Sequence, residues 1–164
     1  MGRITILFIV LIFAGCATRY QPMGFTGGYS ETQLGENIFQ VSFYGNGYTS
    51  RERVSDFSLL RAAELTLEKG FRYFVIVDSE KHTKIKTYTT PTRSYSTGSA
   101  YGYGNYVHFN ATTTTYGGHT YIISNPSATN TFLCFKEKPK INNGLVFDAE
   151  FVVKSIKEKY GIDK

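Results

Sequence analysis

Residues 39–77 read FQVSFYGNGYTSRERVSDFSLLRAAELTLEKGFRYFVIV, and the change of hydrophobic period inside this stretch decides the fold class. Phe39, Val41 and Phe43 alternate with Gln40 and Ser42, the pattern of a half-buried strand. Gly45-Asn46-Gly47 stops it. Apolar residues then recur at helical spacing: Val54, Phe57, Leu60, Ala63 and Leu67 share one face, leaving Arg51, Glu52, Arg61 and Glu68 free to stay wet. Thr49 or Ser50 can cap this helix, which runs to about Lys69, and Gly70 stands where a helix terminates. Phe71 to Val77 is nearly all apolar and reads as a central strand covered on both sides.

Outward toward the C-terminus, Ile85, Thr87 and Thr89 alternate with Lys84, Lys86 and Tyr88, which suits a strand nearer an edge, guarded by its lysines. Val107, Phe109 and Ala111 begin another strand. Tyr116-Gly117-Gly118-His119 predicts a hairpin turn between a Thr-rich and a Tyr/Ile-rich arm, because both glycines accept positive φ. Thr131 to Phe135 makes a last core strand, in which Cys134 reads as a small buried residue. A second helix spans about Asp148 to Tyr160, capped by Asp148, with Val152, Val153, Ile156 and Tyr160 inward and Lys154, Lys157 and Lys159 outward. The expected fold is α+β: a mixed, mostly antiparallel sheet of about five to six strands with two helices on one face.

Outward toward the N-terminus, residues 17–37 show no sustained period and are punctuated by Pro22, Gly24, Gly27, Gly28 and Gly35, as in a tether. Before them, Ile4 to Gly15 is apolar except for Thr5 and follows Arg3. As a helix it would span roughly 18 Å, short of the roughly 30 Å of a bilayer core, so it reads as the apolar region of a secretory signal. Phe13-Ala14-Gly15-Cys16 resembles a bacterial lipobox, with Phe13 where leucine is usual. That resemblance implies cleavage after residue 15 and lipidation of Cys16, with several acyl chains for firm anchoring. A plain signal peptide, or a Cys16–Cys134 disulfide, are the competing readings. Ala17 in place of Asp favours, by the same resemblance, sorting to the outer membrane on the periplasmic side. The expected organisation is therefore signal peptide 1–15, lipidated N-terminus and tether 16–37, and a single domain 38–164.

The chain carries a net charge of +5, too small and scattered to argue for a nucleic-acid partner. Its 13 Tyr, 13 Phe and 16 Gly are distributed unevenly, and Ser94 to Phe135 contains no Asp, Glu, Lys or Arg. Within this segment, residues 94–106 read as a Tyr/Gly-rich loop carrying Tyr95, Tyr101, Tyr103 and Tyr106. Tyr with Ser, Gly and Asn is the chemistry of adaptable binding loops, since each ring supplies contact area at low entropic cost. The plainer reading is a passive loop of permissive residues. Long neutral strands such as Thr112 to Thr115 could also pair edge to edge, so self-association is open.

Catalytic constellations are sparse. His82, His108 and His119 have no metal-ligand spacing, though His108 and His119 could meet across a hairpin. Nucleophile-elbow, Walker and His-Glu-x-x-His patterns do not occur. Glu64 and Glu68 lie one helical turn apart, and Arg61 is placed to pair with Glu64. Glu64 falls near the apolar face, where a structural hydrogen-bonding role outweighs a catalytic one. No catalytic residue, metal or cofactor is assigned.

Tyr20-Gln21-Pro22-x-Gly24-Phe25-x-Gly27-Gly28-Tyr29-Ser30-Glu31-Thr32-Gln33-Leu34 resembles a family of small Gram-negative lipoproteins of unassigned function. The likeness continues through Val41-Ser42-Phe43-x-Gly45-Asn46-Gly47-Tyr48-Thr49, Leu60-Arg61-Ala62-Ala63-Glu64 and Gly70-Phe71-x-Tyr73-Phe74, covering residues 16–80 well and the rest loosely. It implies an address but no reaction, and suggests that Tyr20 to Leu34 packs on the domain. The expectation is a non-enzymatic envelope lipoprotein that binds or bridges a protein or peptidoglycan through its uncharged segment. A subunit of a secretion or transport assembly, and a periplasmic hydrolase using Glu64 or a histidine, are the rivals.

Overall fold

The computed structural model describes residues 17–141 and 144–162. The apolar N-terminal run and Cys16, with the signal and lipidation expected there, lie outside the described residues. The elements are β1 Gly28–Gln33, β2 Ile38–Tyr44, α1 Arg51–Glu68, β3 Tyr73–Thr89, β4 Arg93–Tyr103, β5 Tyr106–Tyr116, β6 Thr120–Phe135, β7 Val146–Asp148 and α2 Ala149–Tyr160. The fold is α+β, as expected, but its seven strands form two antiparallel sheets rather than one mixed sheet. Five strands run in the order β1-β2-β6-β3-β7, and β4 pairs with β5 as a separate two-stranded sheet.

The described residues also divide into two compact units where one domain is expected from residue 38: residues 17–84 with 124–141 and 144–162, and residues 85–123. In the first, β2 pairs with β6 from Ile38↔Leu133 to Tyr44↔Ser127. Residues of β6 from Pro126 to Cys134 alternate between buried and half-buried, so one face of the sheet is closed. On that face Phe39, Val41, Phe74, Phe132 and Cys134 form one cluster with Leu60, Ala63 and Leu65 of α1 and Val152 and Ile156 of α2. Each fully buried Phe or Leu of this kind contributes about 1.5–3 kcal/mol. Two polar groups enter the core as a pair, the Asn130 amide donating to Ser58 at 2.8 Å.

Both helices end as the sequence requires. Ser50 caps α1 by accepting from the Arg53 amide at 3.1 Å, and Gly70, at φ 79°, lets the chain leave it. Asp148 caps α2 by accepting from Glu150 at 3.1 Å, and the basic Lys157 and Lys159 sit in its last turn, where the helix dipole favours them.

Three expectations are corrected in this unit. Phe71 to Val77 is not covered on both sides: Phe74 and Val75 are buried, but Val77 is exposed. The side chains packed over the strand reach only its first residues, and its neighbour β7 likewise pairs only with Tyr73 to Val75. Arg61 is not wet but buried, for the electrostatic reason given below. The tether is in good part structure, because residues 28–33 pair with β2 from Gly28↔Tyr44 to Gln33↔Phe39. Thr18 is fully buried, its amide donating to Thr49 Oγ1 at 2.9 Å and its hydroxyl to the Thr26 carbonyl at 2.8 Å. The Gly27-Gly28 pair makes this docking possible. A Cβ on Gly27 would lie 2.2 Å from the Tyr44 carbonyl oxygen, and one on Gly28 would lie 2.5 Å from that of Gln21.

Candidate functional site

The unit of residues 85–123 is built differently. Tyr and Thr favour strands, and between Tyr95 and Tyr103 they recur at alternate positions among Ser, Gly and Ala. Residues 94–103 lie in β4, Gly104 and Asn105 in the turn and Tyr106 at the start of β5, a strand hairpin rather than a loop, which corrects the sequence expectation. β4 and β5 pair in unbroken register from Arg93↔Tyr116 to Tyr103↔Tyr106, eleven pairs in all. Gly104 and Asn105 make the turn, with positive φ (63°) at Gly104 only, as a type II′ hairpin turn requires.

Residues opposite each other across an antiparallel pair share a face, and successive residues alternate. The register therefore gathers Tyr95, Tyr101, Tyr103 and Tyr106, the four predicted binding residues, on one face of the hairpin. Two further members escaped the sequence reading. His108 lies opposite Tyr101, and Tyr116 lies diagonal to Tyr95 with ring centroids 6.4 Å apart. Only the pairing register reveals them, since the sequence assigns Tyr116 to a different hairpin. Tyr103 is 92% exposed and Tyr106 84%.

The opposite face carries Gly98, Ala100, Gly102, Val107, Phe109 and Ala111 toward the turn and hydroxyl residues farther from it. Gly98 faces Ala111, and the ring of Phe109 lies across Gly98, where an added Cβ would come within 3.2 Å of it. Hydroxyl pairs bind the strands further down, Ser94 with Thr115 at 3.0 Å and Ser96 with Thr113 at 2.8 Å. Arg93 is the one Asp, Glu, Lys or Arg residue between Lys86 and Lys136, so contacts here are made by rings, hydroxyls and backbone rather than by ion pairs.

Gly117 and Gly118 do take positive φ, 89° and 73°, but they do not close a hairpin between β5 and β6. β5 is already paired to β4, so these glycines turn the chain against Thr90. The Gly118 amide donates to the Thr90 carbonyl at 3.1 Å, and the Thr90 amide donates to that of His119 at 2.9 Å. His119 is held at this corner and His108 on the Tyr face, so the two histidines do not meet across a hairpin as the sequence allowed. His82 lies in the other unit, 3.0 Å from Glu80.

Glu64 occupies a half-buried network in the first unit. Its carboxylate accepts from the Tyr20 hydroxyl in a short hydrogen bond and from Lys157 Nζ at 2.8 Å, and it stands 3.5 Å from the Arg61 guanidinium. Arg61 itself grips Glu68 through both terminal nitrogens at 2.7 and 2.9 Å, reaches Glu31 at 2.6 Å, and stacks over the Tyr29 ring. Burial, then the bond to Glu64, raises the Tyr20 pKa far above the ordinary phenol range. Burial opposes the Arg61 charge, yet the hydrogen bonds to Glu31 and Glu68 outweigh it and hold its pKa above the usual value. Tyr20 and Arg61 thus keep one protonation state across neutral pH, and the network joins α1 to β1, to the segment before β1 and to α2. Among the described residues no three His, Cys, Asp or Glu side chains are grouped to hold a metal ion, and no helix is long and apolar enough to cross a membrane.

The chain matches no family model, and no curated protein or solved structure shows detectable similarity to it.

Proposed function

We propose that this chain is a cell-envelope lipoprotein, anchored by lipid on Cys16 to the periplasmic side of the outer membrane, that binds or bridges envelope components through the tyrosine face of the β4–β5 hairpin. One observation carries the binding half of this reading. Tyr95, Tyr101, Tyr103 and Tyr106 share one face of a sheet that buries none of them. Covering a large apolar side chain contributes about 1.5–3 kcal/mol, and here that contribution is left for a partner. Rings carrying hydroxyls can lie on sugar or peptide while their polar ends bond outward. The anchoring half rests on the lipobox-like Phe13-Ala14-Gly15-Cys16 and on the resemblance of residues 16–80 to small lipoproteins.

Two experiments test the halves separately. Fractionation of cells producing the Cys16→Ser chain should move it out of the membrane fraction; continued membrane residence would defeat the anchoring half. In-cell photocrosslinking from positions 95, 101 and 103, with positions 84 and 157 as controls, should give adducts from the tyrosine face only. One discrete protein adduct makes the chain a component of an assembly, and glycan adducts make it a wall-binding protein. Equal yield at the controls would remove the binding reading.

A further inference from the structure

The hairpin has edges as well as faces. A two-stranded sheet leaves one unpaired backbone edge on each strand, and with eleven residues each these edges run about 35 Å. Long exposed edges are normally blunted by charge, proline, a bulge or brevity. Elsewhere in the molecule those devices are present: β1 carries Glu31, β7 has three residues, and β3 carries Lys81, Lys84 and Lys86. Between Ser94 and Tyr116 none of them occurs, and the register has no bulge. Every residue of β4 and β5 is also exposed, and an isolated two-stranded hairpin is at best marginally stable in water.

We propose that the hairpin is completed by further copies of this chain, the open edge of β4 in one copy pairing with the open edge of β5 in the next. The occupant follows from charge and chemistry. An edge guarded along its length by lysine or glutamate repels its own copy, whereas these two edges are equal in length, built from the same residue types and neutral except for Arg93 at the first position of β4, the end far from the turn. Antiparallel pairing of β5 to the next β4 points every hairpin the same way. Its period of two keeps all tyrosines on one side and the small residues around Gly98 and Ala111 on the other. The hydroxyl pairing of Ser96 with Thr113 can then repeat at each seam. This inference rests on the binding reading for the hairpin's role and deepens it, because aligned faces would present tyrosines in a multivalent array.

The seam has an atomic signature. The pair closing a two-residue turn bonds within the hairpin, so by alternation Phe109, Ala111 and Thr113 direct their N–H groups outward. Proline is tolerated in a strand where its missing N–H faces away from the pairing partner, so Ala111→Pro spares the hairpin and blocks the seam. The full lipidated chain in detergent should sediment at two or more times its protomer mass, Ala111→Pro at one, and Ala111→Val as the parent. In the parent, the Ala111 amide should exchange with solvent about as slowly as that of Asn110, which needs no variant to fold. A monomeric parent, an oligomer that survives Ala111→Pro, or an Ala111 amide that exchanges freely in the parent would each overturn the proposal. Tyr101→Ser separates the two readings, since it should keep the oligomer while losing envelope crosslinks. Crosslinks from a monomer refute assembly alone, and an oligomer without crosslinks refutes envelope binding alone.

Discussion

Phe57 and Tyr101 are both large aromatic residues in regular secondary structure, and the molecule uses them in opposite ways. Phe57 on α1 is fully buried, with the rings of Tyr20, Phe43 and Tyr160 edge-on at 4.9–5.4 Å. Tyr101 on β4 is 71% exposed and lies opposite His108 on an open ribbon. In the first unit aromatic area is spent inside, on stability. In the second it is displayed, and only cross-strand pairing orders the residues that display it. The contrast places the buried aromatic area in the first unit and the exposed aromatic area in the second.

That contrast can be broken most sharply at the two residues themselves. Phe57→Ala should cost about 3–5 kcal/mol, the combined loss of transfer energy and of packing around the cavity. Chemical unfolding followed by far-UV circular dichroism reads this directly. A loss under 1 kcal/mol would mean that the aromatic cluster is not where stability resides. Next in size, Arg61→Met leaves the carboxylates of Glu31, Glu64 and Glu68 without their shared cation. A loss of about 3 kcal/mol is expected in the same assay, with partial recovery when Glu31, less exposed than Glu68 and without the second cation that Lys157 gives Glu64, is also made Gln.

The N-terminal segment sharpens the comparison, because its periodicity reads as tether while the family resemblance implies that Tyr20 to Leu34 packs on the domain. Gly27→Ala should destabilise by about 2 kcal/mol, since its Cβ has no room beside the Tyr44 carbonyl and φ is 102°. Proteolysis near residue 27 should rise in step. A neutral result would return residues 17–27 to the status of tether. The smallest effect belongs to the hairpin face: Tyr101→Ala should change protomer stability by no more than about 0.5 kcal/mol while abolishing crosslinks from neighbouring positions. Cys134 provides an internal gauge. Buried against Thr66, with a pKa raised by that burial, its thiol should stay unreactive toward a thiol reagent until the first unit unfolds.

Much of the first unit was legible because its signals are local. The spacing of Val54, Phe57, Leu60 and Ala63, the cap at Ser50 and the stop at Gly70 write α1 without help from distant residues. The same holds for Asp148 and α2, and for Phe39, Val41 and Phe43 on β2. Arg61 was misplaced because helical spacing reports which residues are polar. It does not report that Glu31, thirty positions away, would arrive on β1 to meet the guanidinium. Gly27 and Gly28 marked a break in periodicity and so read as tether. Their actual use, close approach of one backbone to another, is a tertiary event.

The hairpin divides the same way. Composition alone determined that residues 94–135 are uncharged, that tyrosines crowd the first part, and that this first part, residues 94–106, is too polar and glycine-rich to be core. Pairing decided the rest. Because side chains alternate with a period of two, shifting the register by one residue exchanges the faces, and nothing local says which strand is the partner. With β5 paired to β4 rather than to β6, four scattered tyrosines become one surface and two neutral strands become two open edges. The sequence thus determined the chemistry on offer, and tertiary structure decided where it is presented. Residue type is a property of each position, whereas register and burial belong to pairs of positions far apart in the chain.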